Sequence, residues 1–325
     1  MIAQTCAARS AAFDMHADAL AMYGQRAGLP VRRLPDGVKA TPDLLSWRND
    51  RVLFVQSMGP ANLISLPLAR LSGWRIVYYF HEPTALARKL RNGDPLIKAV
   101  AMQVVQWSDN LFANRILVSR DELRRSAHAI FRTRLDKIHL APLLLPEAAA
   151  GEGAERRRIT YLGRPDRRRF IEEFVAAAPE LAAAGFRPTI LTGDPDGLAR
   201  LTGPAPEGVD VRAQRNFPEA LKAEILGETR LLWNPKRGEI AQSGVTADAL
   251  RFGIPVLLTA FDPQFKALHE AGLAIDYDTA GLAGDYWLSD ARLAEVRARA
   301  GEMFSRAHGF DCFTEHYLPL LRPDG

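Results

Sequence analysis

Runs of consecutive apolar residues recur along this chain, and longer stretches with an apolar residue every three or four positions separate them. The short runs read as buried strands and the periodic stretches as amphipathic helices. Strands are expected at 1–6, 31–34, 51–58, 74–80, 111–118 and 137–142, then at 159–162, 188–192, 209–212, 231–233 and 254–258. Helices are expected between them at 16–27, 61–71, 84–108 with a break at 93–95, 120–129, 167–184, 218–226 and 244–252, and at the end of the chain over 290–306 and 310–321. Sustained strand–helix alternation predicts parallel sheets joined by helical crossovers.

The alternation lapses between 143 and 158, where Pro146, Gly151, Gly153 and several alanines precede a charged stretch, and then restarts. At 325 residues the chain is too long for one ordinary core. The expected organisation is an α/β protein with two doubly wound, Rossmann-like domains facing a central cleft: 1–145, a linker at 146–158, 159–305, and a C-terminal helix from 306 to 325. Ligands of open α/β sheets bind at the carboxyl ends of the strands. No residue-level repeat joins the halves.

Composition narrows the class. A content of 47% hydrophobic and 25% charged residues is that of a globular protein. No uncharged apolar run approaches the roughly 20 residues that span a bilayer, and the N-terminal stretch lacks a secretory pattern, so a cytoplasmic location is expected. Cys6 and Cys312 lie at opposite ends without partners at metal-ligand spacing, which argues against a disulfide framework or a zinc site. The net charge of +4 divides into +8 over residues 1–150 and −4 over the remainder. A basic first half suits a phosphate-bearing partner or peripheral contact with an anionic membrane. No zinc-finger, basic-zipper or RNA-recognition pattern occurs, so nucleic acid is not an expected partner.

The chemistry concentrates between Trp233 and Phe261, WNPKRGEIAQSGVTADALRFGIPVLLTAF. A strand end is followed by Glu239 in a loop. Ser243-Gly244 then opens a helix whose first N–H groups lack intrahelical acceptors and suit a diphosphate. Asp248 lies within that helix, Gly253 closes it, and residues 254–258 form the next strand. This segment resembles the donor-site motif of retaining glycosyltransferases of the GT-B fold, family 4 in particular. The family pattern is Glu, seven residues, Glu-Ala, and later Gly-x-Pro-Val. Here Asp248-Ala249 fills the second acidic position, and Glu239 stands one residue further from it than the pattern has it. The resemblance implies that Glu239 grips donor hydroxyls, Asp248 the ribose, and Ser243 and Gly244 the diphosphate.

Further positions join this resemblance. Gly163-Arg164, followed by Arg167, Arg168 and Arg169, is similar to the family's Gly-Arg and later Lys, with Arg164 and Arg168 as candidate diphosphate ligands. A guanidinium fork binds two phosphate oxygens at once. Gly193, after the 188–192 strand, is a candidate for close backbone approach to the donor. His81-Glu82, after the Tyr-Tyr-Phe strand, resembles the family's His-Asp or His-Glu-Pro. That places His81 against the reacting sugar, and Glu82 on the acceptor side, orienting the ring or helping to receive a proton. The 7–10 loop carries no Gly-x-Gly, and Arg9 and His16 are acceptor-side candidates. Basic and apolar residues interleave from Thr84 to Arg125, a region that commonly faces a lipid-linked acceptor in relatives. The C-terminal helix crosses back onto the first domain in GT-B proteins.

The resemblance therefore implies a hexosyltransferase that moves a sugar from a nucleoside-diphosphate donor to a saccharide or lipid-linked saccharide acceptor with retention. No cofactor and no metal are expected, because fixed cations stabilise the leaving diphosphate. A silent nucleotide-sugar- or glycan-binding subunit and a nucleotide-sugar epimerase on the same fold are the alternatives.

Overall fold

The computed structural model describes the chain except for residues 1, 6–10, 35–40, 47–50, 57–58, 81–84, 87–89, 91–94, 149–155, 204–205, 216, 238–243, 263, 279–288 and 323–325. The chain divides into two compact units, Met1–Pro146 with Ser305–Gly325, and Glu147–Phe304.

The first unit is built on a six-stranded sheet of β1 (Ile2–Thr5), β2 (Val31–Arg33), β3 (Val52–Val55), β4 (Arg75–Tyr79), β5 (Arg115–Val118) and β6 (Ile138–Leu140), in the order β2-β1-β3-β4-β5-β6. Every pairing is parallel, with Thr5 opposite Val55 and Val55 opposite Tyr78. The central strands β3, β4 and β5 are apolar throughout or after a leading arginine, as expected where helices cover both faces of a sheet. Leu53, Val55, Ile76, Tyr78, Ile116 and Val118 enter one core with Leu66, Trp74 and Phe131. Their alternating neighbours Phe54, Val77, Tyr79 and Leu117 enter the other with Leu20 and Tyr23. The run from Phe310 to Leu321 completes that second core through Cys312, Phe313, Tyr317 and Leu321. It is held by bonds from Tyr317 Oη to the Pro142 carbonyl (2.6 Å) and from Arg75 Nη2 to the Leu320 carbonyl (3.1 Å).

The second unit repeats the scheme with β7 (Arg158–Leu162), β8 (Arg187–Thr192), β9 (Asp210–Ala213), β10 (Thr229–Trp233), β11 (Val256–Leu258) and β12 (Ala274–Asp276). The order is β12-β11-β10-β7-β8-β9, again wholly parallel, with an irregularity in register between Thr229 and Leu231. Ile159, Tyr161, Ile190, Leu231 and Trp233 pack against Ile171, Phe174 and Leu181 of the helix Ile171–Ala183.

Two expected boundaries are corrected. Leu111 and Phe112 belong to the helix Leu96–Phe112, and the strand begins only at Arg115. Apolar residues at a helix end adjoining a strand look like one run, since periodicity cannot separate the two. The expected helix from Arg167 to Ala184 is a single tight turn, Arg167–Arg169, and then a helix from Ile171. Phe170 between them has φ of 55°, in the left-handed region that interrupts a helix. No helix among the described residues is long and apolar enough to cross a membrane.

Candidate functional site

In an open parallel sheet, the crevice lies where consecutive connections leave in opposite directions, beyond the carboxyl ends of the strands. In the second unit that point is between β7 and β10, since β7 connects to β8 on one side and the later strands add on the other. The loops leaving these two strands, 163–170 and 234–237, are rich in cations.

The β7 loop turns at Gly163, whose φ is 114° and whose N–H donates to the Leu191 carbonyl at 3.0 Å. A Cβ at this position would meet the Arg169 guanidinium at 3.0 Å, so glycine both permits the backbone angle and makes room for the cation. Arg164 is 77% exposed, with Nε 3.5 Å from Asp194 Oδ2, and its carbonyl accepts from Tyr161 Oη at 3.0 Å. Arg168 projects into solvent with Nη2 3.0 Å from Asp166 Oδ2, and Asp166 also accepts from the Arg168 N–H at 2.8 Å. The two loops are tied together: the Arg237 N–H donates to the Arg168 carbonyl at 2.8 Å, and the Arg237 guanidinium lies 4.5 Å from the Phe170 ring centre. Gly193 stands exposed after β8, beside the Asp194 that caps the helix Pro195–Thr202 through the Gly197 N–H.

Beyond β10 the helix Gly244–Phe252 begins at an exposed glycine and then buries Val245–Leu250. Asp248, expected on a donor ribose, lies on the buried side of this helix. The side chain is nearly buried, and Oδ1 lies 2.9 Å from Lys222 Nζ, which is itself 3.3 Å from Glu219. Burial raises its pKa and the Lys222 ammonium opposes the rise. A carboxylate so engaged anchors its helix to the helix Glu219–Gly227.

Lys236 is the residue that sequence reading missed. It stands three residues past the end of β10, yet its side chain is fully buried, with Nζ 3.6 Å from the equally buried Asp262. Burial pulls its pKa down to about 8, Asp262 opposes this, and the neighbouring Arg169 charge adds to the fall. Neither Lys236 Nζ nor Asp262 Oδ2 has a hydrogen-bond partner among the described residues. The signal was present as a lysine within the strand-to-loop run Leu-Trp-Asn-Pro-Lys, but burial of a lysine is not readable from sequence.

In the first unit the corresponding point falls between β1 and β3. Gln56, directly after β3, is 1% exposed, and neither amide atom has a hydrogen-bond partner among the described residues. His16, expected beside an acceptor, stands within the first unit's core. It is fully buried, its Nδ1 accepts from the Leu144 N–H at 2.8 Å, and its ring packs 4.9 Å from that of Tyr79. Arg9, His81, Glu82, Glu239 and Ser243 lie outside the described residues.

No protein-family model matches the sequence, and no curated protein is detectably similar to it. Solved structures are similar in fold. HepE from Anabaena, solved in complex with UDP-glucose, superposes with a TM-score of 0.61 at 11% identity over 95% of this chain and 96% of its own. WaaG, a glycosyltransferase involved in lipopolysaccharide biosynthesis, matches with a TM-score of 0.51 at 12% identity over 100% of this chain and 98% of its own. TarM of S. aureus gives 0.58 at 14% identity over 86% of this chain, which spans 57% of TarM's length. With two six-stranded parallel sheets, the chain has the GT-B fold that these glycosyltransferases share.

Proposed function

We propose that this GT-B chain is a retaining, metal-independent hexosyltransferase that takes its sugar from a nucleoside diphosphate and gives it to a hydroxyl of a saccharide or lipid-linked acceptor. The observation that carries the reading is the cation set at the β7–β10 switch point, Arg164, Arg168, Arg169 and Lys236, beside the start of the helix Gly244–Phe252. As the sugar–oxygen bond breaks, its electron pair passes to the leaving phosphate, and fixed cations stabilise that growing charge more than they stabilise the bound donor. The acceptor oxygen bonds to the anomeric carbon on the same face and its proton passes to a phosphate oxygen. Glu239 holds donor hydroxyls, Ser243, Gly244 and Gly193 line the diphosphate, and His81 faces the reacting sugar, with Glu82 and Arg9 on the acceptor side.

The helix Leu96–Phe112 supports a lipid-borne acceptor and an anionic membrane surface at the cytoplasmic side. Ile97, Val104, Trp107 and Leu111 form an exposed apolar stripe along it, at the spacing of one helical face. An amphipathic surface of this kind rests shallowly in a headgroup layer. HepE's complex with UDP-glucose favours a uridine nucleotide.

Asp248's engagement with Lys222 favours one second reading, a subunit that binds nucleotide sugar without turning it over. Incubation with a panel of nucleotide sugars and a lipid-linked saccharide in EDTA tests both. Release of nucleoside diphosphate with a product of retained configuration is the expected outcome. Binding without release would establish the second reading, and activity that returns only with manganese would overturn metal independence.

A further inference from the structure

The large apolar side chains that stand exposed belong almost wholly to the first unit; among the described residues of the second unit Phe261 alone does so, at 59% exposure. It follows β11 on the carboxyl edge of the sheet, the edge that carries the switch-point loops. The turn beneath the ring is pinned. Thr259 and Asp262, to either side, are buried. The Asp262 N–H donates to the Thr259 carbonyl at 3.0 Å, the Phe265 N–H to the Asp262 carbonyl at 2.9 Å, and the Thr259 hydroxyl to the Lys236 carbonyl in the loop after β10. The Asp262 carboxylate also faces Lys236 Nζ. Phe261 therefore stands one residue from the partner of a cation in the proposed diphosphate set. On the same turn Gln264 is half-buried; its N–H donates to Asp262 Oδ1 at 2.9 Å, and its side-chain Oε1 has no hydrogen-bond partner among the described residues.

An aromatic face in water and an unengaged amide carbonyl on one fixed turn complement a ring that offers C–H groups on its face and O–H groups at its rim. The π face is negative and attracts the electron-poor C–H groups of a pyranose, and an amide oxygen accepts from a hydroxyl. Neither side chain carries a charge, so neither suits the phosphate itself. We propose that Phe261 and Gln264 form a pyranose subsite at the β11 end of the carboxyl edge, with Phe261 stacked on the C–H face of a hexose and Gln264 accepting from one of its hydroxyls. The hexose is that of the donor or that of the acceptor. Its placement beside a diphosphate rests on the proposed function; the recognition of a sugar ring by this turn does not.

Calorimetry on the full chain with UDP, GDP, ADP and dTDP, and with UDP-glucose, GDP-mannose, ADP-glucose and dTDP-glucose, compares the parent with Phe261→Ala, Phe261→Tyr and Gln264→Met, each checked for folding by circular dichroism. Saturation-transfer NMR with methyl α-glucoside, methyl α-galactoside and methyl α-mannoside, in the presence and absence of the nucleoside diphosphates, reads the sugar alone. Phe261→Ala is expected to weaken the nucleotide sugar about fivefold or more while leaving its nucleoside diphosphate unchanged. Phe261→Tyr should bind as the parent does, and Gln264→Met should show a smaller loss in the same direction. That pattern assigns the donor hexose. A methyl-hexoside signal lost in Phe261→Ala with nucleotide-sugar affinity unchanged assigns the acceptor sugar. If the parent binds no nucleotide, the donor reading fails, and loss of the hexoside signal in Phe261→Ala still supports the subsite. Equal weakening of nucleoside diphosphate and nucleotide sugar would put a nucleobase on the ring and overturn the inference. So would a folded Phe261→Ala that matches the parent in every titration and spectrum, or a parent that binds neither nucleotide sugar nor hexoside.

Discussion

The two units share a plan, six parallel strands whose order reverses about the first strand, yet they bury polar groups in opposite ways. The first buries groups that are neutral or can become so: His16 and His308 hydrogen-bonded to backbone, Gln56, and Asp109, whose pKa burial pushes to about 7 against the opposing bonds from Tyr78 and Asn62. The second buries ions. Arg158 is held between Asp210 and Glu228 at 2.6 Å each, Lys222 faces Asp248, and Lys236 faces Asp262. Topology fixes where a ligand can sit in such a sheet, and the loops and buried charges decide what kind of ligand it is. By this comparison the second unit is the one suited to a phosphate.

The comparison breaks most visibly at its buried ions. Replacing Lys236 by Met leaves Asp262 charged and unpaired in the interior, and loss of one partner of a buried pair costs about 3–5 kcal/mol. Urea unfolding should show that loss for Lys236→Met and should show most of it restored when Asp262→Leu is added. Equal stability of single and double variants would mean that the pair is not coupled.

The first unit should respond to pH. Burial raises the pKa of Asp109 in the folded chain from the ordinary carboxylate value of 3.8 to about 7. Its contribution to stability is therefore full below about pH 4 and is lost as pH rises through about 7, because the folded state holds a proton that the unfolded state has released. Asp109→Asn should flatten the dependence of the melting temperature across that window. A profile unchanged by the substitution would show that another group sets it.

A smaller effect sharpens the assignment of Lys236 to the phosphate region. Burial holds its folded pKa at about 8, below the ordinary lysine value of 10.5. As pH rises through about 8 the ammonium is lost, so nucleoside-diphosphate affinity should fall a few-fold. Between about 8 and 10.5 stability should rise, because there the unfolded chain binds the proton that the folded chain has released. The Lys236→Met/Asp262→Leu variant should lack both trends.

Most of the sheet order's raw material was legible in the sequence, because a central strand covered on both faces is an unbroken apolar run such as Val-Leu-Phe-Val or Ile-Val-Tyr-Tyr. The short elements were not. The helices Thr41–Ser46 and Pro195–Thr202 and the strand Ala274–Asp276 have too few residues for their periodicity to show. Of the candidate site, Gly163 and the arginines after it follow directly from a strand end and a glycine. The partners of Asp248 and His16 did not, because Lys222 lies 26 positions before the one and Leu144 lies 128 positions beyond the other. Contacts at such separations are set by packing, which a motif does not encode.

The central claim is that the arginines beyond β7 hold the donor diphosphate, and calorimetry of UDP in EDTA with the parent and with Arg164→Ala/Arg168→Ala tests it most directly. Each charge-assisted contact is worth about 1.5–3 kcal/mol, so the double variant should bind at least roughly tenfold more weakly while its circular dichroism and melting temperature stay those of the parent. A folded double variant that binds UDP as tightly as the parent, or a parent that binds neither UDP nor any other nucleoside diphosphate, would contradict the account.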